Sequence, residues 1–416
     1  MTGVGNRRNL RINLDRLLGR LEELGRVGAL EGGGVCRLAL TDEDRRGRDL
    51  VVGWMKELGL SLSIDRIGNV VGVRAGTEDG LPVVAGSHID TVATGGIYDG
   101  CLGVLAGLEA VAVLNEAGIK TQRPLAVAFF TNEEGARFAP DMMGSAVSQG
   151  VLDLDEALAV SGIDDTIVAD DLAAIGYVGE ARAGDFRAHC YVELHVEQGP
   201  VLDKAGETIG AVTGVQGIYW TEFKITGTSN HAGTTPMQNR HDAGYVAASV
   251  AVQAREIAER EGGNQVANAG FLRLHPGLVN VVAGEATVTI DFRNTDVKVL
   301  KRATEELIEF AERAAAEEGC EIAVHPHARF DPVEFDPGMV ALVEKTARGA
   351  GHSVRRMHSG AGHDAQMFAA NCPTAMIFVP SEHGVSHNIT EHTAPEDIRA
   401  GADVLLQVLL EKAGEV

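Results

Sequence analysis

The chain has 416 residues, enough for two or three domains, and 45% of them are hydrophobic, so a large buried core is within reach. Its 59 acidic side chains outnumber 36 basic ones, for a formal net charge of −23. That surplus argues against nucleic-acid partners and anionic membrane surfaces, and means that an anionic substrate needs a locally positive site.

Five widely spaced cysteines, with no CxxC, fit unpaired thiols in a reducing, cytoplasmic compartment. The amino-terminal stretch carries no signal-peptide pattern, and no apolar run is long enough to cross a bilayer. In chain order, Thr41 predicts a helix start, with Asp42, Glu43 and Asp44 in a first turn that suits the helix dipole. The helix continues through RDLVVGWMKELG with apolar residues at helical spacing. SIDRIGNVVGVRAG predicts a hairpin turning at Gly68-Asn69. LPVVAGSHIDTV reads as a buried strand that ends in polar residues, GCLGVLAGLEAVAVLNEAG as a helix, and PLAVAFFTNEEG as a second buried strand that ends in acids. Strand, helix, strand in this order predicts an α/β fold with a mostly parallel sheet flanked by helices.

After about residue 212 the pattern changes. IYWTEFKITG alternates like a half-exposed strand, His241 to Glu261 reads as a helix, and FLRLHPG and EATVTIDFRN read as strands. LKRATEELIEFAERAAAEEG is an amphipathic helix, followed by the strand CEIAVHPHARF. This βαββαβ order predicts a ferredoxin-like α+β domain over 213–330, inserted into a main domain made of 1–212 and 331–416. The main domain resumes with a helix through VALVEKTARGAG and the strand PTAMIFVP.

Five potential metal ligands fall at predicted strand ends or in glycine-rich loops: His88 in GSHIDTV, Asp99 in GGIYDG, Glu134 in TNEEG, His195 in ELHVEQG and His387 in GVSHN. Carboxylate with imidazole suits zinc and other borderline divalent cations. Asp99 is the candidate to bridge two cations, with His88 and His195 completing one site and Glu134 and His387 the other. Two cations roughly 3.5–4 Å apart can share an activated water. Asp90, two residues after His88, is expected to turn its carboxylate to that imidazole. On an extended strand end the side chains of Glu133 and Glu134 diverge, so Glu134 binds metal while Glu133 serves as general base. Read singly, each histidine is as well a structural residue, Asp99-Gly100 an ordinary turn and Glu133-Glu134 a solvated pair. The joint pattern carries the reading. No G-x-S-x-G, H-E-x-x-H, G-x-G-x-x-G or P-loop is present.

Together GSHIDTV, GGIYDG, TNEEGARFAPDMMGS, ELHVEQGPVL, SNHAGTTPM, SGAGHDA and GVSHN resemble the hydantoinase/carbamoylase family of dinuclear-metal amidases, relatives of the aminoacylases and metallo-exopeptidases. The resemblance runs from about Leu21 to the end of the chain. It implies the same five ligands, Glu133 as base with Asp90 as its companion, and two divalent ions per subunit, zinc or else manganese, cobalt or nickel. It also implies that the inserted domain is a lid and dimerisation domain, and that His231 reaches the partner subunit's site in a homodimer to polarise the scissile carbonyl. Arg293 and Asn280 would grip a substrate carboxylate, with Gln198 and Gly360 completing the pocket. The implied substrate is a small anionic carbamoyl or ureido compound. An N-carbamoyl-L-amino acid is preferred, with allantoate and a β-ureido acid as alternatives. Other readings are an aminoacylase or peptidase, a non-catalytic dimeric binding protein, and a thiol hydrolase using Cys101.

Overall fold

The computed structural model describes residues 10–416, which form two compact units: 10–214 with 334–416, and 215–333. In the first unit α1 (Leu14–Gly25) is capped by Asn13 and buries Leu17, Leu21 and Leu24, the spacing of one helix face. Helix α2 (Asp42–Glu57) starts at Thr41, whose hydroxyl accepts the Asp44 N–H at 3.2 Å, as the acidic first turn predicts. Strands β1 (Ser61–Ile64) and β2 (Val70–Arg74) make the expected hairpin. Its turn is held by the Asp65 carboxylate, which accepts the N–H groups of Ile67 and Asn69.

Next come β3 (Val83–His88), α3 (Cys101–Glu116) and β4 (Leu125–Phe130). Both strands are wholly buried. Helix α3 is buried through Leu114, which is why it is apolar all round rather than striped. Short helices α4 (Met143–Gln149), α5 (Leu154–Leu158) and α6 (Val168–Ala174) lead to β5 (Cys190–Val196), seven buried residues, then α7 (Val201–Ala205) and β6 (Ile209–Val215).

The second unit contains β7 (Gly217–Thr226), β8 (Asn230–His231), α8 (Ala243–Glu261), β9 (Val266–His275), β10 (Val281–Val282), β11 (Glu285–Asn294), α9 (Val297–Glu318) and β12 (Glu321–Phe330). Four strands pair antiparallel in the order β12-β7-β11-β9. Phe223, Val288 and Ile290 on one face of this sheet pack with Val250, Leu300 and Leu307 of the two helices. The opposite face carries Trp220, Lys224, Asp291 and Arg293. Strands β8 and β10 form a separate two-stranded ribbon.

The chain returns through β13 (Val333–Glu334), α10 (Pro337–Gly349), β14 (Val354–Ser359), α11 (Asp364–Phe368), β15 (Thr374–Val379) and α12 (Pro395–Ala413). The main sheet runs β1-β2-β4-β3-β5-β15-β6-β13, with β14 beside β6. Its centre is parallel: β3 pairs in parallel with β4 and β5, and β5 with β15. Antiparallel pairings flank that centre, β1 with β2 and β2 with β4 on one side, β15 with β6 on the other. Apolar runs announce buried strands but carry no strand direction, so the antiparallel flanks are a finding of the structure. Parallel central strands deliver their carboxyl ends to one edge, where open α/β sheets place their ligands. No helix among the described residues is long and apolar enough to cross a membrane.

Candidate active site

His88 is the last residue of β3, His195 the penultimate residue of β5, and Glu133 and Glu134 follow β4 by three and four residues. His387 lies in the loop after β15, and Asp99 immediately precedes the Gly100 that caps α3. Gly100 has φ +64°, and a β-carbon there would lie 2.3–2.5 Å from atoms of the His88 ring, so glycine is demanded by backbone and by space.

The structure brings these groups into two sets, His88 with Asp99 and His195, and Asp99 with Glu134 and His387. Asp99 belongs to both. Its Oδ1 lies 3.2 Å from His195 Nε2 and 3.6 Å from His88 Nε2, while Oδ2 lies 3.5 Å from His387 Nε2. Glu134 Oε2 is 3.3 Å from the same His387 nitrogen, and Glu133 Oε2 is 3.3 Å from His88 Nε2. The two buried imidazoles are oriented alike. His88 Nδ1 meets the Asp90 carbonyl at 3.0 Å and His195 Nδ1 the Val196 carbonyl at 2.9 Å, so those nitrogens carry the protons. His195 Nε2 accepts the Gly100 N–H at 3.2 Å. Both Nε2 atoms therefore face the centre, the nitrogens that a metal takes in place of a proton.

Two expectations are corrected. The Asp90 carboxylate does not face His88. It accepts the N–H groups of Glu133 and Glu134, each at 3.2 Å, and it is the Asp90 backbone carbonyl that holds the imidazole. Two successive N–H groups in a bend form a concave donor pair, which a carboxylate satisfies better than one imidazole N–H would. Nor do Glu133 and Glu134 diverge from an extended strand. Strand β4 stops at Phe130 and the chain bends through Asn132, whose φ is +56°. Gln198 (φ +60°) and His387 (φ +53°) are also left-handed, so three non-glycine residues hold unusual backbone around this centre.

Charge at the centre is out of balance. Asp90, Asp99, Glu133 and Glu134 stand against three imidazoles. Burial would lower His88, but Glu133, Asp99, Asp90 and Glu134 raise it well above the ordinary histidine range. Hydrogen bonds to Asp99 and Glu134 lift His387 to about 10. Burial would raise Asp99, yet its three histidines hold it well below the carboxylate range. Burial, with Asp364, Glu134 and Asp90 adding to it against His88, pushes Glu133 well up. The cluster calls for positive charge. Glu134 Oε1 is buried with no hydrogen-bond partner, and so is Gln198 Oε1. A divalent cation fits this set of donors, and the orphaned Glu134 oxygen is where one supplies what the protein does not.

A third group, Glu193 with His195 and His363, differs. Glu193 accepts Ser87 Oγ–H at 2.7 Å and the Ala365 N–H at 2.8 Å, and His363 Nε2 meets Ser359 Oγ at 2.8 Å. These groups are satisfied by protein. Sequence reasoning passed over Glu193 and His363. Glu193 shares a face of β5 with His195, two residues away, a signal that alternation could have supplied.

Gln198 donates from Nε2 to Asp99 Oδ2 at 2.9 Å, and Gly360 follows the end of β14. The remaining candidates lie in the second unit. His231, on β8, is exposed and pairs across the ribbon with Val281. Its Nδ1 accepts the N–H groups of Gly233 and Thr234 at 3.1 and 3.2 Å, which leaves Nε2 as the ring nitrogen that can donate. Asn280 precedes β10, and its carbonyl accepts the Ala232 N–H at 2.9 Å, so it is a close neighbour of His231. Arg293, on β11, pairs with Asp291 two residues before it, Nη2 to Oδ2 at 3.0 Å.

The peptidase family M20/M25/M40 pattern matches residues 84–411, most of the chain and all five candidate ligands. The chain belongs to this family. It is 42% identical, over 97% of its length and 98% of the relative's, to a Rhizobium meliloti protein named N-carbamoyl-L-amino-acid amidohydrolase. It is 35% identical, over 94% of its length and 96% of the relative's, to the allantoate amidohydrolase of Escherichia coli. A solved hydantoinase/carbamoylase family amidase from Burkholderia multivorans superposes with a TM-score of 0.92 at 43% identity, covering 97% of this chain and 98% of that one. Family and fold make the chain a metal-dependent amidohydrolase with a largely parallel central sheet. Relatives and ligand cluster alike point to divalent metal binding.

Proposed function

We propose that this amidohydrolase cleaves the carbamoyl C–N bond of an N-carbamoyl-L-amino acid, giving the amino acid, carbon dioxide and ammonia. The observation that carries the reading is the two-sided use of Asp99, one oxygen toward His88 and His195, the other toward His387 and, through it, Glu134. The name of the Rhizobium meliloti relative supports the substrate class.

His88, Asp99 and His195 would hold one divalent cation, and Asp99, Glu134 and His387 the other, zinc first and manganese, cobalt or nickel next. When bound, such a pair supplies Lewis-acid charge stabilisation and lowers the pKa of water. Glu133, held by its backbone N–H on Asp90, takes the proton of the attacking water and passes it to the departing nitrogen. Burial raises its affinity for that proton. His231 donates Nε2–H to the oxygen on which negative charge develops. Arg293, with Asn280, grips the substrate α-carboxylate, supplying the local positive charge that a chain of net charge −23 needs. Gln198 and Gly360 complete the pocket.

We read the enzyme as a homodimer in which His231 serves the partner's site. Strand β9 is a ten-residue sheet edge with Phe271, Leu272 and Leu274 exposed, the kind of edge that a second chain covers. Five free cysteines suit a cytoplasmic setting. Ammonia release from N-carbamoyl-L-amino acids, allantoate and β-ureidopropionate by metal-reconstituted protein tests the substrate. The first class should be turned over with the highest kcat/KM. A preference for allantoate would replace this reading with the one that the Escherichia coli relative favours. Undiminished turnover after chelation would end the metal reading.

A further inference from the structure

The loop that carries His387 is only partly buried, and its histidine is half exposed with left-handed backbone, so something other than packing must hold it against Asp99. The candidate is a carboxylate that neither the motifs nor the family pattern of ligands singles out. Glu391 lies four residues beyond His387 in the same loop and is 6% exposed. Its Oε1 accepts the backbone N–H of Asp99 at 3.1 Å. Its Oε2 accepts the Ser386 hydroxyl at 3.0 Å, and that hydroxyl also lies 3.1 Å from Asp99 Oδ2. One side chain therefore grips the backbone of one loop and the residue preceding the ligand of the other.

Space confirms how closely the two loops are joined. Gly96 lies three residues before Asp99. A β-carbon there would fall 2.2 Å from Glu391 Oε1 and 2.5 Å from its carboxyl carbon. The Glu391 carboxylate fills the place that any larger residue at 96 would need, so the loop before α3 is built around it. The donors are a backbone N–H and one hydroxyl, whose single proton lies between Glu391 Oε2 and Asp99 Oδ2, so no catalytic or ligating side chain donates to Glu391.

We propose that Glu391, acting through Ser386, is a positioning residue that sets the separation of Asp99 and His387 and so the affinity of the cation site that they share with Glu134. This rests on the reading above that those three residues hold a cation. Groups hydrogen-bonded behind metal ligands typically change metal affinity about 10–100-fold when removed.

The test uses full-length protein stripped with chelator and titrated with cobalt(II), followed by calorimetry and by visible absorption, which reports coordination geometry. Glu391→Ala should weaken cobalt binding at one of the two sites by about 10–100-fold and change the cobalt spectrum. Glu391→Gln, whose amide oxygen can still accept the Asp99 N–H, should keep most of the affinity. Ser386→Ala, which leaves the Asp99 N–H bond intact, should fall between the two. Gly96→Ala, which displaces the carboxylate without removing it, should resemble Glu391→Ala. If Glu391→Ala does not fold, Ser386→Ala and Gly96→Ala decide. Wild-type cobalt affinity and spectrum in the folded alanine variants would overturn the positioning role. Failure of the wild-type protein to bind cobalt would instead overturn the metal reading on which it stands.

Discussion

Strands β5 and β11 show the same alphabet used in two ways. On β5 all seven residues are buried, and Glu193 and His195 sit two apart with every polar atom directed at a named neighbour. On β11 burial alternates, and Asp291 and Arg293, also two apart, stand on the face away from the helices, paired with each other and partly in water. Buried charge in the first unit must be matched atom by atom, and where the protein leaves a mismatch, as at Glu134 Oε1, a cation is called for. Exposed charge in the second unit carries no such obligation. It can be spent on a passing anion at little cost to the fold.

That contrast can be broken by substitution. The largest effect is expected from Glu133→Gln in the first unit. Loss of the base should lower kcat by about 10²–10⁴-fold with metal content unchanged, as elemental analysis would show. A kcat near wild type removes Glu133 from the chemistry. His231→Ala should lower kcat by about 10²–10³-fold. Because the side chain is exposed, Tm should barely move, within about 0.5 kcal/mol of stability. If Tm collapses instead, His231 is structural and the contrast between the units fails there. Arg293→Ala should raise KM for a carboxylate substrate by about 10–100-fold, the worth of a charge-assisted pair, and leave kcat and metal content alone. Equal KM values for wild type and variant would assign the carboxylate to another residue.

The smallest effect sharpens the account of the first unit. In chelated protein Asp99 and Glu134 hold the His387 imidazole at about 10, against 6.5 when it is unperturbed. A pKa raised by folding contributes stability that is fully present below 6.5 and is lost as pH climbs through 10. Tm of the metal-free protein should therefore decline over that window. Saturating cation, replacing the proton between the same carboxylates, should flatten the decline. A metal-free protein whose Tm is level from pH 6.5 to 10 would contradict the charge imbalance drawn here.

Much of this was legible along the chain. Thr41 with its acidic turn marked α2, alternation marked β7, and the polar ends of β3 and β4 pointed to the sheet edge where the candidate site lies. These signals are local. Periodicity and caps depend on neighbours within a few residues, and buried parallel strands end at one edge by construction. Asp90 was misread because its choice of partner is not local. Its carboxylate answers two N–H groups 43 and 44 residues away. Glu391 was passed over for the same reason, since its partner Asp99 lies 292 residues distant.

The amino-acid order by itself determined which residue types could end up at the centre: carboxylates and imidazoles beside glycines, at the ends of apolar runs that water would reject. Only the folded chain decided which oxygen faces which nitrogen, that Asp99 looks both ways, and that Glu134 Oε1 has no protein partner. The reason is physical. Apolar periodicity is read within one turn or one pleat, whereas a buried charge is balanced over a few ångströms of space, among residues that the sequence sets hundreds of positions apart.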